Sequence, residues 1–313
     1  MVTAAPYPDA RPMTTHTNAW IITGPTSGIG YRTALELAKH GTVVLVGRSA
    51  PKLDTVRTEI ESSGGHAVTV VADLSDITSA RRAAARIADL DLPIGSLLNN
   101  AGIFPARPST SAQGWDTAFA TNHLGPFALT EALLPILPDG ANVVFIVSAV
   151  EDPERKIAVQ AGFRGGRYIS AEASARGEWL SPGGSKLPGG DAYATTKQAP
   201  LATALAFARS YPRLRFNAIE PGVNPGSNLG RDMAPALVAI SKTLAPVLQL
   251  MPHYTTPKKA AKVIARILTS DSAETGVYYD ENGAPMRGSK QVHDPAFQDR
   301  VVAETRALLA TVS

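Results

Sequence analysis

The chain has 313 residues, of which 44% are hydrophobic, 18% charged and 6% aromatic, the composition of a globular protein. Its 30 basic and 27 acidic side chains leave a formal charge of +3, which gives no case for a nucleic-acid partner. The lack of cysteine excludes disulfides and thiolate-bound metals, and the six histidines show no HxxxH or HExxH spacing, so we expect no metal site.

The first segment, residues 1–17, carries three prolines among Thr and Ala and lacks the apolar core of a signal peptide. We therefore expect a disordered tail, followed by a single domain over residues 18–313. No stretch of 18 uninterrupted apolar residues occurs, which predicts a cytoplasmic protein without a membrane span.

Short apolar, β-branched runs then alternate with longer segments of helical spacing. This alternation predicts an α/β fold of the Rossmann-type, doubly wound class, with a seven-stranded, mostly parallel sheet flanked by helices. Because the runs are continuously apolar, we expect strands that are covered on both faces. The predicted strands are residues 19–23, 43–46, 67–71, 96–98, 142–147, 215–219 and 276–279.

One segment, residues 150–190, interrupts the alternation with many Gly, Pro, Arg and Ser residues and no steady period. A loop of this length is uncommon in a compact domain and is usually functional, so we expect an insertion over the active site. We expect residues 161–190 of it to be mobile without substrate and to close with residues 233–251 over the bound molecule. Its arginines could bind an anionic substrate or form a solvated face; they are Arg155, Arg164, Arg167 and Arg176.

A second unusual segment, residues 233–251, is apolar on nearly every side. Such a helix is buried, lines a pocket for an apolar ligand or rests on a membrane. It lacks a basic polar face, which argues against membrane contact. We therefore expect residues 226–252 to form a substrate lid over a bulky hydrophobic substrate.

A glycine-rich loop, TGPTSGIG at residues 23–30, stands where the first strand turns into a helix. Gly24 permits a tight turn, Gly28 lets the backbone approach a pyrophosphate at the helix N-terminus, and Gly30 lets helix and strand pack closely. The alternative is an ordinary left-handed turn. The strand–loop–helix context favours a nucleotide site.

The TGxxxGIG spacing resembles the short-chain dehydrogenase/reductase family in its single-domain form, and further motifs of that family follow in order over residues 18–310. They are Asp73 in ADL, NNAG at 99–102, Asn122 in TNHLG, Ser148 after the fifth strand, YATTK at 193–197 and Pro221-Gly222. The long insertion before Tyr193 resembles the protochlorophyllide reductase-like, retinol dehydrogenase-like and carbonyl reductase branches.

This resemblance implies four catalytic residues, Asn122, Ser148, Tyr193 and Lys197, with the Asn122 carbonyl holding a water of a proton relay. It also implies a cofactor site in which Ser227 takes the place of the Thr that contacts the nicotinamide carboxamide. The expected cofactor-binding residues are Gly24, Thr26, Ser27, Gly28, Ile29, Gly30, Arg48, Ser49, Asp73, Leu74, Asn100, Ala101, Gly102, Tyr193, Lys197, Pro221, Gly222, Val223 and Ser227.

The end of the second strand decides the cofactor, because a carboxylate there would bind the ribose hydroxyls of NAD. The sequence has Val46-Gly47-Arg48-Ser49 instead. Arg48 can pair with a 2′-phosphate through its planar fork and Ser49 can donate to it, which predicts NADP(H). The alternative is that Arg48 is a solvated loop residue.

Tyr193 and Lys197 are four residues apart and therefore share one face of a helix. Tyrosine is a weak acid, and we expect the neighbouring ammonium to lower its pKa for acid–base work, while Ser148 polarises a carbonyl. Lys197 also fits the family role of binding the nicotinamide ribose. Pro126 cannot donate to the Asn122 carbonyl, which predicts a kink or, alternatively, a break between two shorter helices.

These features predict an NADP(H)-dependent oxidoreductase that transfers a hydride between the nicotinamide and a carbonyl or secondary alcohol of a small hydrophobic substrate, for example a natural-product intermediate. The enzymatic alternative is reduction of an enone C=C bond. The non-enzymatic alternative is a dinucleotide-sensing or scaffold protein, whose relatives usually lose the Tyr or the Lys. The alanine-rich helix after Lys197 suggests burial on both faces and hence a homodimer.

Overall fold

The computed structural model describes residues 18–104, 107–180, 182–224 and 253–312. The predicted tail at residues 1–17, the predicted lid at 226–252 and Ser227 lie outside the described residues.

The core of the fold is a parallel sheet of seven strands in the order β3-β2-β1-β4-β5-β6-β7. All seven predicted strands are confirmed, and all neighbouring strands run parallel. The order reverses between β1 and β4, and the carboxyl ends of parallel strands at such a switch point form a binding crevice. The strands are β1 Ala19–Thr23, β2 Thr42–Gly47, β3 His66–Val71, β4 Ile94–Asn99, β5 Asn142–Ile146, β6 Arg215–Ile219 and β7 Tyr278–Tyr279.

Helices cover both faces of the sheet and complete a three-layer α/β/α domain. One face packs against α1, α2 and α9, and the other against α3, α5, α8 and α10. The helices are α1 Gly28–Leu37, α2 Ala50–Ser62, α3 Ile77–Ala88, α4 Thr117–Phe119, α5 Gly125–Leu133, α6 Lys156–Gln160, α7 Ala171–Ala175, α8 Gly190–Ser210, α9 Pro257–Leu268 and α10 Pro295–Ala310.

Strand burial follows the prediction except at one edge of the sheet. The inner strands β1 and β2 are buried along nearly their whole length. In β3 both end residues are exposed, and Val71 keeps 43% of its surface accessible. The physical reason is position, because an edge strand has a neighbour on one side only and receives less cover from the helices.

The long helix α8 is buried from Gly190 to Phe207 within this single chain, except at the half-buried Asp191. It packs on β5 and β6 on one side and against α10 on the other. The burial on both faces that the alanine-rich pattern predicts is therefore supplied by the chain's own elements, and needs no second copy of the protein.

The insertion at residues 150–190 has two parts with different surroundings. Residues 152–165 form a loop that contains α6 and is closed at its base by a hydrogen bond from the Gly166 N–H to the Glu151 carbonyl, 2.8 Å long. The second part contains α7, which is buried except at Glu172, and Tyr168, which is 1% exposed and whose hydroxyl donates to Glu304 on α10 at 2.8 Å. Residues 176–180 and 182–189, in contrast, are exposed or half-buried. The second part therefore has the buried apolar anchor that the sequence analysis did not find.

Candidate active site

A cleft of about 1220 Å³ runs along the carboxyl ends of the strands. Every predicted cofactor-binding residue within the described part of the chain lines it, as do Ser148, Tyr193 and Lys197. Asn122 does not line the cleft. The predicted residues, which come from widely separated parts of the chain, thus meet around one elongated cavity.

The glycine loop forms the floor of one end of this cleft. Gly24 and Gly28 adopt the left-handed conformation, with φ of 68° and 59°. A Cβ atom at Gly24 would lie 2.9 Å from the Ala101 Cα, and one at Gly30 would overlap the Asn100 side chain. No atom lies within 4 Å of a Cβ built on Gly28, so the space beside the N-terminus of α1 is open to a ligand.

Thr23 and Asn100 hold this loop in place. The Thr23 hydroxyl accepts hydrogen bonds from the N–H groups of Asn100 and Ala101, at 2.9 and 3.0 Å. The Asn100 amide donates to the carbonyls of Thr23 and Gly24, at 2.8 and 3.2 Å. The NNAG segment therefore shapes the glycine loop through its side chain, in addition to lining the cleft with its backbone.

The end of β2 contributes positive charge to the cleft. Arg48 is exposed, and within the described residues its guanidinium has no hydrogen bond or ion pair to protein. Lys52 on the first turns of α2 faces the same part of the cleft. Ser49 precedes α2 without using its side chain as a cap, which leaves its hydroxyl available. At the end of β3, the Asp73 Oδ1 atom accepts from the N–H and the hydroxyl of Ser75 at 2.9 and 2.7 Å.

Tyr193 and Lys197 both lie on α8 and both are buried, with 7% and 4% of their surfaces exposed. The Lys197 Nζ atom lies 5.5 Å from the centroid of the Tyr193 ring and donates to the Ile146 carbonyl at 3.1 Å. Burial lowers the pKa of Lys197 to about 8, an effect that the charge of Glu220 opposes.

The expected fall in the Tyr193 pKa is wrong for the structure as it stands. Burial raises the pKa of the Tyr193 hydroxyl, and the negative charge of Glu220 raises it further. The physical reason is that the phenolate would be desolvated beside a carboxylate, while the Lys197 ammonium is directed to a main-chain carbonyl. The spacing of Tyr193 and Lys197 does not reveal Glu220, which comes from the end of β6.

Asn122 does not line the cleft, but its side chain hydrogen-bonds to residues beside it. Its amide nitrogen donates to the Ile103 carbonyl and to the Thr196 hydroxyl, both at 2.9 Å, and its Oδ1 atom accepts from the Ile103 N–H at 2.8 Å. The surrounding helix is continuous from α4 through a π-helical turn, Ala120–Leu124, into α5. Pro126 therefore accompanies a widened turn at Asn122, and the alternative of two separate helices is wrong.

Two aromatic side chains that line the cleft, Phe104 and Phe163, flank the Tyr193 ring and are called the aromatic wall below. The centroid distances to Tyr193 are 4.8 Å for Phe104 and 6.3 Å for Phe163. Phe104 directly follows the NNAG segment and Ile103, and Phe163 comes from the first part of the insertion. Neither was a predicted site residue, since only the folded chain brings them beside Tyr193.

Acidic and basic side chains also line the cleft, and most of them were not predicted site residues. Glu220, at the end of β6, and Glu281, after β7, are only 8% and 6% exposed. His253 Nδ1 lies 3.1 Å from Glu281 and 3.3 Å from the Arg155 guanidinium. The other insertion arginines are engaged locally, with Arg164 and Arg167 on main-chain carbonyls and Arg176 on Glu172 and Glu178.

Among the residues that the structure describes, no helix is both long and apolar enough to cross a bilayer. Within the same residues, no three histidine or carboxylate side chains are placed to share a metal ion.

Comparison with known proteins identifies the class to which this fold and cleft belong. The family model described as short chain dehydrogenase matches residues 18–159. A short-chain dehydrogenase/reductase from Armillaria gallica is 32% identical over 222 residues, which span 69% of this chain and 67% of that protein. The chain therefore belongs to the short-chain dehydrogenase/reductase family of oxidoreductases.

Two further proteins resemble most of the chain. Protochlorophyllide reductase B from Hordeum vulgare is 27% identical over 312 residues, which span 94% of this chain and 78% of that protein. The crystal structure of a blue fluorescent protein from a metagenomic library, in complex with NADPH, has a TM-score of 0.62 and 25% identity, and covers 87% of this chain and 98% of that one.

Proposed function

We propose that the protein is an NADP(H)-dependent oxidoreductase that transfers a hydride between the nicotinamide and a carbonyl or secondary alcohol of a largely hydrophobic molecule. The observation that carries this proposal is the meeting of Tyr193, Lys197 and Ser148 in the same cleft as the glycine loop. A proton donor, a cation and a carbonyl-binding hydroxyl thus adjoin a dinucleotide-binding cradle.

The residues of the cradle fit NADP(H). Gly28 leaves the N-terminus of α1 open, and no acidic residue occupies the first turn of that helix. Arg48, Lys52 and the Ser49 hydroxyl provide two cations and a donor for a 2′-phosphate. The similar blue fluorescent protein binds NADPH, which supports the same choice. When bound, the cofactor supplies the hydride.

The roles of the side chains follow from their protonation. Because the pKa of Tyr193 is raised, its hydroxyl keeps its proton at neutral pH and can donate it to the oxygen of a carbonyl that accepts hydride. Ser148 orients and polarises that carbonyl, and Lys197 binds the nicotinamide ribose. In the reverse reaction the tyrosinate would be the base, and the raised pKa makes that form scarcer at neutral pH.

Asn122 has its proposed role in a proton relay through its main-chain carbonyl. Its side chain is occupied by Ile103 and Thr196, so it is not free to bind a water. The carbonyl lies in the π-helical turn, where Pro126 offers no N–H four residues later. A water on this carbonyl would connect Lys197 to solvent.

The proposed substrate is hydrophobic because the wall beside Tyr193 consists of Phe104 and Phe163, and flat rings stack favourably on such side chains. Residues 226–252 as a lid, and Ser227 as a contact of the carboxamide, remain part of this proposal.

A second candidate, reduction of an enone C=C bond, is favoured by the similarity to a protochlorophyllide reductase over 94% of the chain. Mass spectrometry and NMR of the product would separate the two reactions.

The proposal is tested by a screen of ketones, aldehydes and enones, followed by NADPH absorbance, and by the variant Tyr193→Phe. The variant should keep NADPH affinity and lose on the order of a hundredfold or more in kcat, since only proton transfer is removed. Tyr211→Phe, at the end of the same helix with its hydroxyl on Arg306, is the matched control. A Tyr193→Phe variant with full activity would reject the proposed function.

The homodimer predicted from the alanine-rich helix loses its basis, because α10 and the sheet already cover α8. We propose that the protein is a monomer. Light scattering at micromolar concentration should give the mass of one chain, and a mass twice as large would restore the dimer.

A further inference from the structure

Arg155 differs from the other arginines of the insertion in its surroundings. It is half-buried and lines the cleft, whereas the other three do not line it and are held by carbonyls or carboxylates. Within the part of the chain that the structure describes, the Arg155 guanidinium meets no carboxylate or carbonyl, and its one polar contact is the His253 Nδ1 atom at 3.3 Å. Most of its five N–H groups are therefore available to a ligand.

The His253 Nδ1 atom is within reach of two groups, since the Glu281 Oε1 atom lies 3.1 Å from it. A ring nitrogen carries either a hydrogen or a lone pair, so it can donate to Glu281 or accept from Arg155, but it cannot do both. Glu281 is 6% exposed, and its Oε2 atom has no hydrogen-bond partner among the described residues. Because a buried carboxyl without its hydrogen bonds is costly, we assign the Nδ1 hydrogen to the bond with Glu281.

This assignment leaves the guanidinium of Arg155 without a direct counter-ion in the described chain. The Glu281 carboxyl is bonded to His253, which keeps it from pairing with Arg155. The second carboxyl nearby, Glu220, accepts from the main-chain N–H groups that follow β5 and β6. Burial raises the pKa of Glu220, which favours its neutral form and weakens its competition for the cation.

The loop that carries Arg155 also carries half of the aromatic wall. Arg155 stands directly before α6, and Phe163 follows that helix with its N–H on the Ala158 carbonyl at 3.0 Å. Both side chains line the cleft. One loop thus offers a ring and a cation to the same ligand, and the planar fork of a guanidinium matches the two oxygens of a carboxylate.

We propose that Arg155 binds a carboxylate of the substrate, so that the substrate class is an apolar ketone, aldehyde or secondary alcohol that carries such a group. His253 is a positioning residue, because its bond to Glu281 keeps Arg155 free. The inference rests on the proposed function for the reaction, but the carboxylate site can be tested by binding alone.

The first experiment is calorimetric titration of the enzyme–NADP⁺ complex, in which a ketone binds without being reduced. The probes are 9-oxofluorene-2-carboxylate, its 4-carboxylate isomer and the methyl ester of each, which share a flat apolar body and differ in charge. At least one carboxylate should bind about tenfold or more tightly than its ester, the usual value of a charge-assisted bidentate contact.

Variants of Arg155 should remove this preference. Arg155→Met should bind carboxylate and ester alike, and Arg155→Lys should keep part of the preference, since it keeps the charge and loses the fork. Arg176→Met removes the same charge from an exposed arginine that is paired with Glu172 and Glu178, and it should keep the whole preference. Equal binding of carboxylates and esters by the wild type, or an unchanged preference in Arg155→Met, would overturn the proposal.

The Kd for NADPH separates a substrate site from a cofactor site. It should stay within about threefold in Arg155→Met, which also shows that the variant is folded. A loss of NADPH affinity as large as the loss of carboxylate affinity would assign Arg155 to a cofactor phosphate and overturn the proposal.

The role of His253 has its own pair of variants. His253→Ala should lower the carboxylate preference, because Arg155 can then pair with Glu281, and the double variant with Glu281→Gln should restore it. The same preference in both variants and in the wild type would refute the positioning role.

Hydride transfer is measured separately, with the neutral esters and with Tyr193→Phe. An enzyme that prefers carboxylates but reduces no ketone would contradict the proposed function and leave the carboxylate site intact. An enzyme that reduces the esters but shows no carboxylate preference would contradict this inference alone.

Discussion

The Lys197 ammonium donates to the Ile146 carbonyl, 3.1 Å away at the end of β5, and this bond links α8 to the strand that leads into Ser148. The lysine is 4% exposed, and the cost of burying its charge is visible as a pKa lowered to about 8. The chain therefore keeps a charged side chain at a buried position where an apolar side chain would cost less free energy.

The first prediction is that Lys197→Met raises the stability of the fold while it abolishes turnover. Replacing a buried charge by an apolar side chain of similar length should increase the free energy of unfolding by about 1 to 3 kcal/mol at neutral pH. Urea denaturation of both proteins measures this difference. Lys39→Met, on an exposed lysine paired with Glu36, is the control and should stay within about 0.5 kcal/mol.

The pH dependence of the free energy of unfolding provides an independent test of the same prediction. The folded pKa of Lys197, about 8, lies below the ordinary value of 10.5, so between these values the unfolded chain binds more protons than the folded one. Wild-type stability should gain from this group as the pH rises through that window, and Lys197→Met should lack the gain. Equal pH profiles for the two proteins would contradict the buried-charge explanation.

Arg48 should determine the preference for NADPH over NADH. We expect at least about tenfold tighter binding of NADPH, and Arg48→Ala should remove most of this difference, about 1.4 kcal/mol or more. Fluorescence titration with each cofactor measures it. Arg57→Ala, on the same helix as Lys52 but paired with Asp54 and Glu61, is the matched control. Identical titration curves of the wild type for both cofactors would refute the assignment.

Phe163 should act on substrate affinity and leave the cofactor site unchanged. Phe163→Ala removes one side of the aromatic wall. The kcat/KM for NADPH-driven reduction of phenanthrenequinone, a flat apolar diketone, should fall about tenfold or more, the usual value of a lost apolar contact in a pocket. The Kd for NADPH should stay within about threefold. Val159→Ala, exposed on α6 of the same loop, is the control. A fall in cofactor affinity as large as the fall in kcat/KM would show that the loop supports the dinucleotide.

Tyr168 should anchor the second part of the insertion. Its ring is 1% exposed against Phe297, and its hydroxyl donates to Glu304. Tyr168→Ala should lower the free energy of unfolding by about 3 to 5 kcal/mol, and Tyr168→Phe by about 1 to 2 kcal/mol. Ile169→Ala, on an exposed neighbour, should change it little. If Tyr168→Ala unfolds at the same urea concentration as the wild type, the segment is not part of the cooperative core.

The seven strands were predictable because each is a local pattern, a short apolar run bounded by turns. The glycine loop, Tyr193 and Lys197 were predictable for the same reason, since their spacing belongs to one turn or one helix. The insertion helices α6 and α7 were not, because each is only five residues long and its contacts are made with distant parts of the chain.

Glu220 shows most clearly what a one-dimensional pattern leaves out. It directly precedes Pro221, yet its hydrogen bond from the Ala149 N–H depends on the side-by-side pairing of β5 and β6, and its effect on the pKa of Tyr193 depends on the packing of α8 on these strands. Pro126 shows a different limit. Sequence reasoning found the missing hydrogen bond at Asn122, but it could not choose between a kink, a break and the π-helical turn that the structure contains.

The cover that α10 provides for α8 has a consequence for biosynthesis. The ribosome makes α8 well before it makes α10. The alanine- and leucine-rich side of α8 that α10 covers therefore stays uncovered while the intervening segments are translated. That side is a hydrophobic surface of the kind that binds chaperones or aggregates in nascent chains. The yield of active protein in a cell should therefore depend on translation speed over residues 211–294 as much as on the stability of the finished fold.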